Sequence, residues 1–288
     1  MKPISIILDT DIGDDVDDAL ALAIALNSPE INLLGVSTVF RDAPRRALLA
    51  QQILQLFNRD VPVRAGCSKP LLLSWDELPG GANLGKQFEA LDSSLRYEEK
   101  QHAVDFIIET AQGCSEDNPL TICPIGPLTN IALLLAKAPE LIPRIRIVLM
   151  GGWWSEPKAE WNIRCDPEAA AIVFNSGADI TMVGIDVTKQ CVLSDAQVEQ
   201  FQEAGTPRAK FLYDLIKLWQ HKVTLHDPLT LLTLFDDCVQ FEPRHIKVEL
   251  CGEKRGCTVE SEGAPNCRAA VGVDVDRAVN LFMERVLM

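Results

Sequence analysis

Apolar residues fall in two alternating patterns for most of the chain: short continuous runs, then longer stretches with helical spacing. The runs Ile4–Leu8, Leu33–Val39, Pro62–Ala65, Leu120–Cys123, Ile145–Met150 and Ile180–Val183 are rich in Ile, Val and Leu and predict buried strands. Between them, Asp17–Leu26, Ala43–Phe57, Lys100–Gln112, Pro127–Ala136 and Pro167–Asn175 predict helices. This alternation implies a mostly parallel open sheet flanked by helices, the arrangement in which ligands bind beyond the carboxyl ends of strands. Residues 66–97 carry Pro70, Pro79, Gly80, Gly81 and Gly85 with little periodicity and read as a long loop with the composition of a lid. Beyond residue 190 the pattern is helical over Ala196–Ala204, Arg208–Lys222 and Pro228–Phe235. Two strands, Ile246–Leu250 and Cys257–Val259, and a last helix, Asp274–Val286, follow. No composition shift or repeat divides the chain, so residues 1–288 are expected to form a single α/β domain.

The first strand runs into six carboxylates: Asp9, Asp11, Asp14, Asp15, Asp17 and Asp18, with one glycine and no basic residue among them. Like charges this close repel, and more so where water is excluded. A positive charge is expected among them, and for oxygen-only ligands that is a hard divalent cation. Asp14 to Asp18 also suit the first turn of the helix that follows, where carboxylates complement the dipole, but Asp9 and Asp11 sit at a strand end. An EF-hand beginning at Asp9 would need a glutamate at its twelfth position, where Leu20 stands. An Asp-x-Asp after an apolar strand also suits a haloacid-dehalogenase-type phosphatase, with Asp9 as nucleophile and Asp11 as acid/base.

Composition narrows the partners. The 288 residues are 47% hydrophobic and 24% charged, ordinary for a globular chain, with a formal net charge of −14. That acidity argues against nucleic acid or an anionic membrane as partner and leaves room for a small molecule. The nine cysteines are odd in number and contain no Cys-x-x-Cys pair, so reduced thiols are expected rather than disulfides or zinc. The N-terminus does not read as a signal peptide and no apolar stretch reaches membrane-spanning length, which makes a cytoplasmic location the expectation.

Further segments extend the first motif. Residues 9–19 resemble the Asp-x-Asp-x-Gly-x-Asp-Asp-Ala motif of the inosine–uridine nucleoside hydrolases. Cys123 to Ala132 resembles that family's Gly-Pro-Leu-Thr-Asn turn. Met150-Gly-Gly with Glu160-Trp-Asn and Asp166-Pro-Glu-Ala-Ala is similar to its Gly-Gly…Glu-Phe-Asn…Asp-Pro-Glu-Ala-Ala stretch. His226-Asp-Pro-Leu resembles its late His-Asp-Pro-Leu, and Gly256-Cys-Thr-Val with Pro265-Asn266 fits its tail. The resemblance spans nearly the whole chain in order and implies the Rossmann-like α/β fold of the nucleoside hydrolases. The implied reaction is calcium-dependent hydrolysis of a ribonucleoside to free base and ribose, in a homodimer or homotetramer. The phosphatase reading gives no account of the later segments. A third alternative is a non-catalytic nucleoside-binding protein, against which the joint presence of Asp11, Asn162, His226 and Asp227 speaks.

By resemblance, Ca2+ is held by Asp9, Asp11, one aspartate of the 14–18 cluster (Asp18 when Asp17-Asp18-Ala19 is aligned with Asp-Asp-Ala), the main-chain carbonyl of Ile125, and Asp227. Asp11 is also the implied general base. Ribose contacts are implied for Asp17, Asp42, Glu160 and Asn162, with Trp161 in the Phe position covering the sugar. Because the first motif carries two extra residues, Asp15 can take either the ligand or the ribose role. His226 is the candidate acid for the leaving base, with a helix-cap role as the alternative. Trp153, Trp154, Tyr213 and Trp219 are stacking or core candidates, His102 and His245 surface residues, and Cys165 inert. The stretch between Gly152 and Glu160 is short and lacks the family's asparagine for the 5′ hydroxyl, and residues 73–97 contain no histidine. Both departures point toward a modified or 5′-altered nucleoside.

Overall fold

The strand order of the main sheet explains where a ligand can bind. In the computed structural model, which describes residues 2–80, 84–98 and 100–288, the strands are β1 (Ile4–Thr10), β2 (Ile31–Thr38), β3 (Val63–Ala65), β4 (Leu120–Pro124), β5 (Ile145–Met150), β6 (Asp179–Val183), β7 (Val239–Arg244), β8 (Ile246–Val248), β9 (Thr258–Glu260) and β10 (Cys267–Val273). Eight of them form one sheet in the order β3-β2-β1-β4-β5-β6-β10-β7. The order reverses at β1, whose neighbours are β2 and β4, both parallel to it. This is the switch point of a doubly wound sheet, where the connections leave in opposite directions and open a crevice at the strands' carboxyl ends.

The helices are α1 (Asp17–Asn27), α2 (Ala43–Leu56), α3 (Ala103–Gln112), α4 (Thr129–Lys137), α5 (Trp161–Cys165), α6 (Pro167–Phe174), α7 (Ile185–Thr188), α8 (Asp195–Glu203), α9 (Pro207–Trp219), α10 (His226–Leu232) and α11 (Val275–Val286). Helix α1 is buried on every side from Asp17 to Leu26, as expected for a helix apolar all round. It packs against α10 and α11. Its first turn therefore presents Asp17 and Asp18 inside the protein rather than to solvent.

The predicted strands and helices are present, with shifted ends. Helix α3 starts at Ala103, because His102 caps it by accepting the Val104 N–H. Helix α9 ends at Trp219, where Gln220 turns left-handed (φ 60°). Helix α10 begins two residues earlier than expected, at His226. Two sheet strands went unpredicted. β10 is Cys-Arg-Ala-Ala-Val-Gly-Val, small side chains with an irregularity before Gly272, and lacks the Ile/Val density of the others. β7 contains Pro243 and pairs antiparallel with β10 at the sheet edge, where a missing N–H is tolerated. The expected strands near residues 246 and 258 form a separate ribbon, β8 with β9. The 66–97 loop is not structureless: 3₁₀ turns occur at Trp75–Glu77 and Lys86–Ala90. Gly81, one of its glycines, lies outside the described residues.

Candidate active site

The carboxyl ends of β1, β4 and β5 meet the starts of α1, α5 and α10 around a cavity of about 320 Å³. Asp11, Asp14, Asp15, Asp17, Asp18 and Asp227 line its floor together with Ile125 and His226. Met150, Glu160, Trp161 and Asn162 form another side, and Leu84, Ile185 and Trp219 contribute apolar surface. Residues more than two hundred positions apart thus share one site: the Asp227 N–H donates to Asp17 Oδ2 at 3.3 Å.

The carboxylates crowd. One oxygen each from Asp15, Asp17 and Asp18 lie within 4.8 Å of one another. Burial, the largest cause for each, raises Asp11, Asp15, Asp18 and Asp227 well above the ordinary carboxylate range, and the neighbouring aspartates push further. Asp17 is raised to about 6. Among the described residues, Asp17 Oδ1 is buried with no hydrogen-bond partner. Carboxylates gathered this closely favour a cation among them, and an all-oxygen set suits a hard metal.

Tight packing aims Asp11. Gly126 follows β4, and a Cβ there would lie 2.7 Å from Asp11 Oδ1 and 2.9 Å from its backbone nitrogen. The Ile125 carbonyl accepts the Asn162 Nδ2–H at 2.9 Å and retains a second lone pair. Glu160 caps α5: its carboxylate accepts N–H bonds from Gly152, Asn162 and Ile163 at 2.9, 2.8 and 3.1 Å. His226 Nδ1 is hydrogen-bonded to Thr188 Oγ1 at 2.7 Å. Burial lowers its pKa while the Asp15 charge opposes the shift.

Two expected site residues are elsewhere. Asp9, expected among the metal ligands, is fully buried but does not line the cavity. Its Oδ1 accepts from Ser37 Oγ and from Asn130 Nδ2 at 2.8 Å. That location also deprives the phosphatase alternative of an accessible nucleophile. Asp42, expected at the ribose, is exposed and caps α2, accepting the Arg45 N–H at 3.2 Å. Phe40 and Arg41 are both left-handed (φ 71° and 53°), and that reversal delivers Asp42 to the helix start rather than the cavity. Of the stacking candidates outside the Glu-Trp-Asn motif, Trp219 alone lines the cavity. The ammonium groups of Lys158 and Lys189 both lie against the Trp153 ring, Trp154 donates to the Ala270 carbonyl, and Tyr213 donates to Glu199.

Other residues act from behind. The expectation that no basic residue offsets the acidic cluster fails in three dimensions, because Arg46 of α2 reaches it and pairs with Asp14 at 2.8 Å. In the Gly-Pro-Leu-Thr-Asn turn, Thr129 donates to Asp166 and Asn130 ties Asp9 to Thr38 and Cys67. Cys165 is buried and its thiol is pushed well above the usual range, in keeping with an inert side chain. All nine cysteines are free. No helix among the described residues is long and apolar enough to cross a membrane.

Comparison with known proteins places these features in a lineage. The family model of the inosine-uridine preferring nucleoside hydrolases matches residues 6–280. A pyrimidine-specific ribonucleoside hydrolase RihA from Shewanella sp. (strain MR-7) is 42% identical over 253 residues, covering 80% of this chain and 77% of its own. The inosine-uridine preferring nucleoside hydrolase of Leishmania major is 33% identical over 300 residues, covering 95% and 94%. Among solved structures, a purine-preferring ribonucleoside hydrolase from Gardnerella vaginalis superposes with a TM-score of 0.85 at 32% identity, covering 98% of both chains.

Proposed function

The chain belongs to the inosine-uridine preferring nucleoside hydrolase family, and from that premise we propose how its cavity hydrolyses the N-glycosidic bond of a ribonucleoside to free base and ribose. The observation that carries the reading is the convergence of six aspartates with Asn162 and His226 on a cavity with an apolar side. Asp11, Asp18, the Ile125 carbonyl and Asp227 would hold a calcium ion. The all-oxygen donor set and the crowding of buried carboxylates around it support a hard cation there. Bound there, the ion would supply the Lewis acidity that lowers the pKa of a water molecule.

The protein's own groups do the rest. Asp11, held by the close approach of Gly126, accepts the proton of the attacking water. As the bond to the base breaks, positive charge builds on the ribose, and the buried carboxylates stabilise it. Asp15 and Asp17 face the sugar hydroxyls beside Asn162, while Trp161 covers an apolar side of the ring. The base lies against Trp219, Ile185 and Leu84, and His226 delivers its proton. A modified or 5′-altered nucleoside and an assembly of two or four chains belong to the same reading. A panel of purine, pyrimidine and 5′-modified nucleosides, assayed for ribose release with calcium and with chelator, tests it. Calcium-dependent release from at least one is expected, and no release from any would sink the proposal.

A further inference from the structure

Arg46 stands in the first turn of α2 and is 1% exposed. The helix dipole disfavours a cation at this end, so other contacts must hold it there. Its Nε donates to the Phe40 carbonyl at 2.8 Å. One terminal nitrogen donates to the carbonyls of Asp11 and of Ile12, the latter at 3.0 Å, and the other donates to Asp14 Oδ2 at 2.8 Å. A single planar fork thus ties the left-handed corner after β2 to the turn that carries the acidic residues. The far side of that turn is tied as well. Asp14 Oδ1 accepts the Gly85 N–H at 2.6 Å, the Gln87 N–H donates to the Gly13 carbonyl at 3.1 Å, and the buried Gln87 side chain donates to the Asp15 carbonyl. Phe88 packs against Gly13, whose φ of 129° suits glycine and where any Cβ would lie 2.4 Å from the ring.

We propose that Arg46 is a positioning residue for the hydrolysis: it fixes the backbone of the 11–14 turn so that Asp11 keeps its place in the cavity, and it holds Asp14 out of the cation's ligand set. The inference rests on the role of Asp11 proposed above. Asp14 lines the cavity beside the other carboxylates, so its capture by Arg46 decides which aspartates remain for a cation. Charge alone does not suffice. Lysine would restore one positive charge, but a single ammonium on a flexible stem cannot reproduce the flat, multi-point fork that spans four acceptors.

The test compares wild type with Arg46→Lys and Asp14→Asn. Calcium binding to chelator-treated protein is measured by calorimetry, kcat and KM on uridine and inosine, and the unfolding temperature on each variant. Arg46→Lys is expected to weaken calcium binding and to lower kcat by about tenfold or more each, the scale of losing a partner that orients a ligand. KM should move by less than about threefold, as for a change felt mainly in the transition state. Asp14→Asn keeps an acceptor for Arg46 and should leave calcium affinity within about threefold, since ligands are lost only where a ligating group is changed. Unchanged calcium affinity and kcat in Arg46→Lys overturn the proposal, including when only the unfolding temperature falls. A tenfold or greater loss of calcium affinity in Asp14→Asn overturns the exclusion of Asp14, and this arm remains decisive should Arg46→Lys not fold. A wild type that hydrolyses no nucleoside sinks the functional reading alone, because the calcium titrations judge Arg46 by themselves. A wild type that binds no calcium overturns both.

Discussion

Replacing Asp9 with asparagine should stabilise the calcium-free protein at alkaline pH. Asp9 is fully buried, and burial pushes its carboxyl from an ordinary 3.8 to about 7 despite hydrogen bonds from Ser37 and Asn130. The folded protein therefore holds this proton more tightly than the unfolded chain does. The stability that follows is complete below pH 3.8 and is lost as pH rises through 7. A shift of this size corresponds to about 4 kcal/mol, of which about 3 kcal/mol is lost between pH 5 and 8. Asparagine retains an oxygen that accepts from Ser37 and Asn130. It also exchanges Asp9 Oδ2, unpartnered among the described residues, for an unpartnered amide nitrogen, so polar accounting is nearly unchanged while the charge is gone. In a chain of this length about 4 kcal/mol moves the unfolding midpoint by roughly 7 °C. Calorimetry in chelator at pH 8 should find Asp9→Asn more stable by about that amount, with the gap shrinking toward pH 5. A variant less stable than wild type at pH 8 would refute the reasoning, since it would mean the ionised carboxylate is favoured where it lies. Added calcium separates the remaining question. If Asp9 is no ligand, the calcium-induced rise in midpoint survives the substitution; if the rise disappears, Asp9 binds the ion after all.

Two further outcomes test the front of the site. Gly126→Ala puts a methyl where Asp11 Oδ1 and its backbone nitrogen stand, so kcat should fall by about a hundred-fold through displacement of Asp11, at a stability cost of about 1–3 kcal/mol; steady-state kinetics with wild-type kcat would show the contact to be idle. His226→Ala should slow natural nucleosides by roughly a hundred-fold yet barely affect p-nitrophenyl riboside, whose leaving group needs no proton. Equal losses on both substrates would make the Thr188–His226 bond a purely structural one.

What the sequence made legible was whatever lies close along the chain. The apolar runs predicted the inner strands because strands covered on both faces carry little else. β10 escaped because Ala269, Ala270 and Gly272 satisfy the same burial with small side chains, which no periodicity count registers. Asp11, Asp17, Asp18, Asn162 and Asp227 were visible as motif positions, and the cavity gathers them. Asp42 was misplaced because its role turns on the left-handed pair before it, and neither Phe40 nor Arg41 announces that conformation as glycine would.

Arg46 marks the deeper limit, and it also explains how six aspartates coexist in the interior. Counted along residues 9–18 the cluster has no counter-charge, and from that count alone an external cation must supply all of it. In the fold one guanidinium is already present, buried against the back of the turn and paired with Asp14. Removing that partner would leave an uncompensated buried carboxylate, a loss of about 3–5 kcal/mol, so the internal ion pair accounts for one aspartate without any metal. Asp9 is separated from the others and supplied with a hydroxyl and an amide. Four of the six, Asp11, Asp15, Asp17 and Asp18, remain on the cavity with Asp227 and without an ion-pair partner among the described residues. The fold thus pairs the buried Arg46 with Asp14, while burial raises the pKa of the cavity carboxylates that have no ion-pair partner among the described residues. No signal along the chain marks this division: Arg45 stands in the same first turn of α2 and is exposed, so it takes the fold to show which arginine is buried.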